Sequence, residues 1–180
     1  LAEESGLLAV GGDLSVERLV LAYSMGIFPW YSDGEPILWW SPDPRPIIFP
    51  QKLKIPHTLR QTMKKGIFRV TTNVAFEDVI RNCSTICRKG QDGTWITDSM
   101  IEAYIRLHQV GYAQSVEAWD GDELAGGFYG ILLGRAFFGE SMFARKSDAS
   151  KVAFATYAKE LAEKGFELID CQTPTPHMQR

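Results

Sequence analysis

The stretch Ala113–Phe143, AQSVEAWDGDELAGGFYGILLGRAFFGESMF, decides the fold. It holds three runs rich in aliphatic, aromatic and β-branched residues, Ala113–Trp119, Glu123–Leu133 and Arg135–Phe143. They are separated by Asp120-Gly121-Asp122 and by Gly134, which are the residue types that tight hairpin turns demand. An antiparallel three-stranded meander is the expectation. Ser147 or Asp148 then opens a helix of good formers from Ala149 to Lys164, which Gly165 ends. A last apolar strand follows at Phe166–Cys171. Before the meander, Thr97 or Asp98 caps a helix running to Gly111, with Met100, Tyr104, Ile105 and Leu107 at three- and four-residue spacing.

Further toward the amino terminus, a helix at His57–Lys65 closed by Gly66, a strand at Phe68–Thr72 and a helix through Ala75–Cys83 are expected. The segment from Ile27 to Pro50 has another texture. It carries Pro29, Pro36, Pro42, Pro44 and Pro46 with Trp30, Trp39 and Trp40, which reads as an aromatic loop region with short strands at most. A short amphipathic helix precedes it, capped by Asp13 or Ser15 and ended by Gly26. The expected class is α+β. Residues 1–48 form a small amino-terminal domain with aromatic, proline-rich loops, and residues 49–180 a larger domain.

A chain of 180 residues, 45% hydrophobic and 23% charged, can bury a substantial core. No run approaches the roughly 20 apolar residues of a membrane helix, so no membrane partner is expected, and neither is an export signal. Three cysteines, Cys83, Cys87 and Cys171, fit a reducing compartment better than a disulfide scaffold, and a cytoplasmic location is expected. Cys83 and Cys87 lack the further donors of a zinc site, because His57, His108 and His177 stand in no paired spacing. The net charge of −3 gives no global attraction to nucleic acid. Lys52, Lys54, Arg60, Lys64, Lys65 and Arg69 nevertheless form one basic cluster, and Arg81, Arg88 and Lys89 a second. Such runs are usually solvated faces; their freedom from interleaved acids up to Glu77 favours a phosphate-tracking surface.

Ordered motifs span almost the whole chain. Gly6–Ser15 reads GLLAVGGDLS, Gly26–Trp30 reads GIFPW, and Trp39–Arg45 reads WWSPDPR. Trp95-Ile96-Thr97, Gly126–Gly130, Gly139–Phe143 and Ile169–Gln172 follow in order. In sequence and spacing they resemble the leucyl/phenylalanyl-tRNA–protein transferases. That resemblance implies a larger domain like the GNAT acetyltransferases, and a carboxy-terminal tail beyond these 180 residues. It departs at Phe128, where some members carry methionine.

The reaction so implied joins the terminal amine of a protein to the carbonyl carbon of an aminoacyl ester on a tRNA, creating an amino-terminal degradation signal. The ester is already activated, so positioning, an unprotonated amine and oxyanion stabilisation suffice, and no cofactor or metal is expected. Expected donors are tRNAs charged with Leu, Phe and, less often, Met. Expected acceptors are proteins beginning with Arg or Lys. Tyr23, Trp30, Trp95, Phe128 and Phe137 are expected to line the apolar slot, although buried aromatics are more often plain core. Glu140, at a strand end with little local partner, is expected to face the acceptor's basic first residue. Asp170 and Gln172 alternate around Cys171, which puts both side chains on one face. The resemblance implies that Gln172 accepts a hydrogen bond from the amine while Asp170 orients Gln172 or carries proton charge; a ribose hydroxyl is the other base. Lys52, Lys54, Lys64, Lys65, Arg81, Arg88 and Lys89 are expected to meet tRNA phosphates.

Two other readings start from the same residues. An acetyl coenzyme A-dependent amine acyltransferase would share the fold, but Arg145–Ser150 has no glycine where a pyrophosphate loop needs it. A non-catalytic reader of protein amino termini or of RNA would bind without turnover.

Overall fold

The computed structural model describes residues 5–86 and 95–173. Its architecture is mixed α and β, with two sheets and five α-helices among the described residues. The amino-terminal part holds β1 (Leu7–Val10), α1 (Val16–Ser24), β2 (Phe28–Pro29) and β3 (Leu38–Trp40). These three strands form a small antiparallel sheet in the order β1-β3-β2. Ser15 caps α1, its hydroxyl accepting from the Arg18 amide.

The second sheet has six strands in the order β4-β9-β8-β7-β6-β5. It is built from β4 (Ile47–Ile48), β5 (Arg69–Thr72), β6 (Ala113–Asp120), β7 (Glu123–Leu133), β8 (Ala136–Ala144) and β9 (Leu168–Asp170). The meander β6-β7-β8 is antiparallel, and β9 joins β8 in parallel. A parallel neighbour needs a crossover, which α5 (Ala149–Glu163) supplies. Ile47 and Ile48, expected to close the amino-terminal part, pair with β9 within this larger sheet.

Strand alternation splits the core between the two sheet faces. On one face α5 lays Ala149, Ala153, Tyr157, Ala158 and Leu161 over Val116, Ala118, Phe128, Phe137 and Ile169. Small residues bring this helix in close. A Cβ on Gly126 would stand 2.8 Å from the Ala149 Cβ, and one on Gly127 would stand 2.7 Å from the Val116 carbonyl oxygen on the neighbouring strand. A short 3-10 helix at Pro50–Lys52 and α2 (His57–Lys64) pack on α5 as well.

The other face receives α1, α3 (Phe76–Thr85) and α4 (Asp98–Gln109). Leu19, Tyr23, Val79, Ile80, Met100, Tyr104, Tyr129 and Phe143 belong to this core, so α1 shares a hydrophobic cluster with the larger sheet. Thr97 caps α4 by accepting from the Met100 amide. The start of α3 has no such residue at Ala75. A carboxylate on β6 supplies the acceptor instead: Glu117, fully buried, takes the Ala75 amide at 3.3 Å and the Thr71 and Ser115 hydroxyls at 2.6 Å each. No helix among the described residues is long and apolar enough to cross a membrane.

Candidate functional site

Two devices in the larger sheet bring the polar residues together. The first is a β-bulge in β8. Tyr129 pairs with Ser141 and the next residue, Gly130, pairs with Gly139, so Glu140 is one residue more than β7 can match. A bulge of this kind bends the strand and re-aims a side chain out of the regular alternation. The second is the end of the parallel β8-β9 pair, which stops at Phe138–Asp170. Two residues past that pair, the Gln172 Nε2 donates to Glu140 Oε1 at 2.5 Å. Gln172 has a left-handed backbone, φ 60°, which costs a non-glycine residue about 1 kcal/mol and is held by its surroundings.

Glu140 was expected to have little local partner, and the structure corrects this. Besides Gln172 it accepts the Tyr23 hydroxyl on Oε1 at 2.5 Å and the Tyr104 hydroxyl on Oε2 at 3.2 Å. The two phenols also touch each other. Tyr23 comes from α1 and Tyr104 from α4, so the packing of these helices against the sheet assembles the cluster. Burial pushes the Glu140 carboxyl up to about 7; its three hydrogen bonds oppose that rise, and the nearby Asp170 charge adds to it. Burial, and next the Glu140 charge, hold both phenols well above their usual range.

Asp170 forms the other half of the site. Its Oδ1 accepts the Gln172 backbone N–H at 2.8 Å and the Arg45 Nε–H at 2.7 Å. The pair is well shielded, with the side chains 8% and 19% exposed for Asp170 and Arg45. The guanidinium lies 4.9 Å from the Phe28 ring centroid, and its Nη2 is buried with no hydrogen-bond partner among the described residues. Asp170 and Gln172 do converge, but not as alternating positions of one strand: β9 ends at Asp170, and the turn at Gln172 is fixed by the Asp170 carboxylate. With its amide N–H engaged by Glu140, Gln172 keeps its Oε1 as an acceptor.

The five aromatics expected to line one slot fall on two faces. Tyr23 lies in the α1/α4 core, and Trp95 packs against that core. Trp30 is 39% exposed, its ring 5.6 Å from Trp40. Phe128 and Phe137 belong to the α5 face and pack edge-on against Tyr157 at 5.8 and 5.2 Å. Alternation is the reason, since Phe128 precedes Tyr129 on β7, and Phe137 precedes Phe138 on β8. Burial pushes the Cys171 thiol up to about 12, away from the thiolate that a nucleophile needs. Its expected neighbour in sequence, His177, lies outside the described residues.

The basic residues are likewise divided. Lys54, Arg60 and Lys64 line a groove of 780 Å³ with Leu53, Ile55 and Met63, and the exposed Lys65 follows at the end of α2. Lys52, on the same side, stands 5.1 Å from the Phe49 ring centroid. Arg81 sits on α3, across the sheet from that groove, and pairs with Glu77 at 2.6 Å. Arg88 and Lys89 lie outside the described residues, as does Cys87. Tyr104 and Arg45 were not singled out from the sequence. Tyr104 read as an ordinary apolar position of its helix, and Arg45 as the last letter of a proline-rich motif.

A family model described as leucyl/phenylalanyl-tRNA protein transferase matches residues 47–180, and one described as the amino-terminal domain of the same proteins matches residues 12–43. A leucyl/phenylalanyl-tRNA–protein transferase from Anaeromyxobacter sp. (strain Fw109-5) is 58% identical over 180 residues, covering 100% of this chain and 77% of that protein. The protein of that name from Syntrophobacter fumaroxidans is 59% identical over 179 residues, covering 99% of this chain and 76% of its own length. Myxococcus xanthus has another at 58% identity over 179 residues, covering 99% and 76%. Among solved structures, a conserved protein of unknown function from Bacteroides thetaiotaomicron superposes with a TM-score of 0.55 at 11% identity. The match covers 75% of this chain and 52% of that one, so the chain spans about half of that protein, and the likeness concerns the fold alone.

Proposed function

The chain belongs to the leucyl/phenylalanyl-tRNA protein transferase family, and from that premise we propose that it moves a leucyl or phenylalanyl group from tRNA onto the terminal amine of a protein. It is an aminoacyltransferase. The observation that carries the assignment of its site is the chain of contacts Arg45–Asp170–Gln172–Glu140, which fixes one carboxamide oxygen and one half-buried carboxylate side by side.

In this reading the acceptor's amine donates to Gln172 Oε1 while it attacks the ester carbonyl carbon. Asp170 acts through Gln172: it holds the backbone turn that presents the carboxamide, and Arg45 holds Asp170. Glu140 draws the cationic end of the acceptor, which favours proteins beginning with Arg or Lys. The slot for the donor side chain is taken to lie where the β8-β9 pairing stops, at Phe138 and Asp170. Tyr23 borders it, with Trp95 packed on the same face and the exposed Trp30 from the amino-terminal part, whereas Phe128 and Phe137 lie under α5 on the opposite face and shape it only through the sheet. A methylene in such a slot changes binding by only about 1–3 kcal/mol, so methionine is accepted as a lesser donor. The groove of Lys54, Arg60 and Lys64, with Lys52 and Lys65, is assigned to tRNA phosphates. Arg81, paired with Glu77, contributes less. We further take the larger sheet as GNAT-like and the compartment as cytoplasmic, where thiols such as Cys83 and Cys171 stay reduced.

The test is transfer of radiolabelled leucine or phenylalanine from charged tRNA to a peptide beginning with Arg, beside the same peptide beginning with Ala. Transfer to the Arg peptide alone supports the reaction and the acceptor rule together. Equal transfer to both removes Glu140 from acceptor selection, and transfer to neither sinks the assignment.

A further inference from the structure

Tyr23, Tyr104 and Glu140 make a closed triangle of contacts. Tyr23 Oη meets Glu140 Oε1, Tyr104 Oη meets Glu140 Oε2, and the two phenol oxygens meet each other. Each contact needs one proton to be a hydrogen bond. Two neutral phenols supply two, so an ionised Glu140 leaves the triangle one proton short, with two oxygen lone pairs facing across one edge. A proton on Oε2 completes it. Glu140 then donates to Tyr104, Tyr104 to Tyr23, and Tyr23 to Oε1, while Gln172 adds its own N–H to Oε1.

We infer that this triangle is the proton acceptor of the reaction, taking from the protein's terminal ammonium the proton it must lose before it can attack. The inference rests on the reading that the amine is delivered beside Glu140 and Gln172. In the first step an N–H bond of the ammonium breaks, its electron pair stays on nitrogen, and an O–H bond forms on Glu140. The free amine then forms the C–N bond at the ester carbonyl. The bond from that carbon to the ribose oxygen breaks, and the second proton shed by nitrogen goes to that oxygen as it leaves. The products are an amide, a tRNA with a free hydroxyl, and a protonated Glu140 that returns its proton to water.

The surroundings fit the role. Among the described residues, the titratable groups facing the triangle are Tyr129 on β7, whose ring stands 5.7 Å from that of Tyr104, and Asp170 at the end of β9, whose charge Arg45 balances. A base works best when its pKa lies near the working pH, and burial brings the Glu140 carboxyl to about 7. Gln172 and the triangle thereby divide the work. The carboxamide aims the amine, and the carboxylate relieves it of charge.

The experiment has two readouts on the whole chain. The first is the carboxylic-acid C=O stretch in pH-difference infrared spectra of the wild type and of Glu140→Gln, Tyr104→Phe and Tyr23→Phe. The second is single-turnover transfer to the Arg peptide across the same pH range, where the amine's own titration is common to all variants. A band absent from Glu140→Gln should titrate near the carboxyl's value of about 7. Each Tyr→Phe change breaks the ring of contacts, so band and rate inflection should move together away from the wild-type value. Glu140→Gln should lose about a hundredfold or more, as expected of a positioned base. Rate inflections that coincide in the wild type and both phenylalanine variants would overturn the inference and leave the transfer reading standing. No transfer by the wild type at any pH overturns both.

Discussion

Replacing Arg45 with methionine isolates the largest electrostatic contact at the site. Arg45 donates to Asp170 at 2.7 Å, and the carboxylate side chain is only 8% exposed. Unit charges about 4 Å apart attract by about 4 kcal/mol at an effective dielectric of about 20. Removing one member of a buried pair costs about 3–5 kcal/mol, because the remaining charge is left uncompensated. Arg45 keeps some water contact and Asp170 keeps the Gln172 amide, so the lower end applies, and Arg45→Met should lower unfolding free energy by about 3 kcal/mol. Asp170→Asn leaves behind the more exposed partner and should cost about 1–2 kcal/mol. The double variant has no charge left to strand. Urea unfolding of the four proteins gives a coupling energy, expected at about 2 kcal/mol. Costs that add to within about 0.5 kcal/mol would refute the reasoning, for they would mean that the two groups are independently solvated. The pair also has a place in the chain: Arg45 lies between the two matched segments, 12–43 and 47–180, and holds Phe28 of the first against Asp170 of the second.

Other outcomes follow from geometry already described. A carboxyl raised in the folded state binds more protons there than in the unfolded chain, so Glu140 stabilises the fold below about pH 4.5, and that contribution fades as pH rises to about 7. Over that window the loss is on the order of 3 kcal/mol, and unfolding of Glu140→Gln, compared with wild type at each pH, should show it missing. Gly127→Ala should destabilise by about 1–3 kcal/mol or more, since the new Cβ would press on the Val116 carbonyl oxygen at 2.7 Å and that oxygen belongs to a strand that cannot yield; a urea midpoint unchanged from wild type would refute it. Reversing charge at Lys64 and Lys65 should weaken tRNA binding and flatten its salt dependence by about 1 in log–log slope per lost phosphate contact, measured by filter binding at several salt concentrations.

Local signals in the sequence carry their own chemistry, and they were read with little error. Asp120-Gly121-Asp122 and Gly134 turn the meander where they should, and Ser15 and Thr97 cap the helices that they precede. Ends drifted by a residue or two: the last strand is Leu168–Asp170 rather than Phe166–Cys171. The small sheet was harder. Leu7–Val10 went unread because its pairing partner lies some thirty residues away, and a four-residue strand has no periodicity of its own. Among site residues, Asp170 is a polar residue closing an apolar strand, but Glu140, expected at a strand end, lies in the middle of β8, and the roles expected of both and of Gln172 follow from the resemblance. Their linkage was not legible, because it depends on a register shift and on a backbone turn with φ 60° that no propensity announces. Tyr104 was hidden for a further reason. Its ring packs as core, and only the last atom of the side chain reaches the carboxylate.

The bulge in β8 has an implication for how such a site is carried. Pairing with β7 is regular on both sides of Glu140, so the residue stands as one extra position in an otherwise continuous ladder. Excising it would leave hairpin, helix and neighbouring strand in register and would delete the carboxylate alone. The bulge thus separates the carboxylate from the ladder that carries it: the backbone pairing of β7 and β8 does not depend on which side chain stands at position 140.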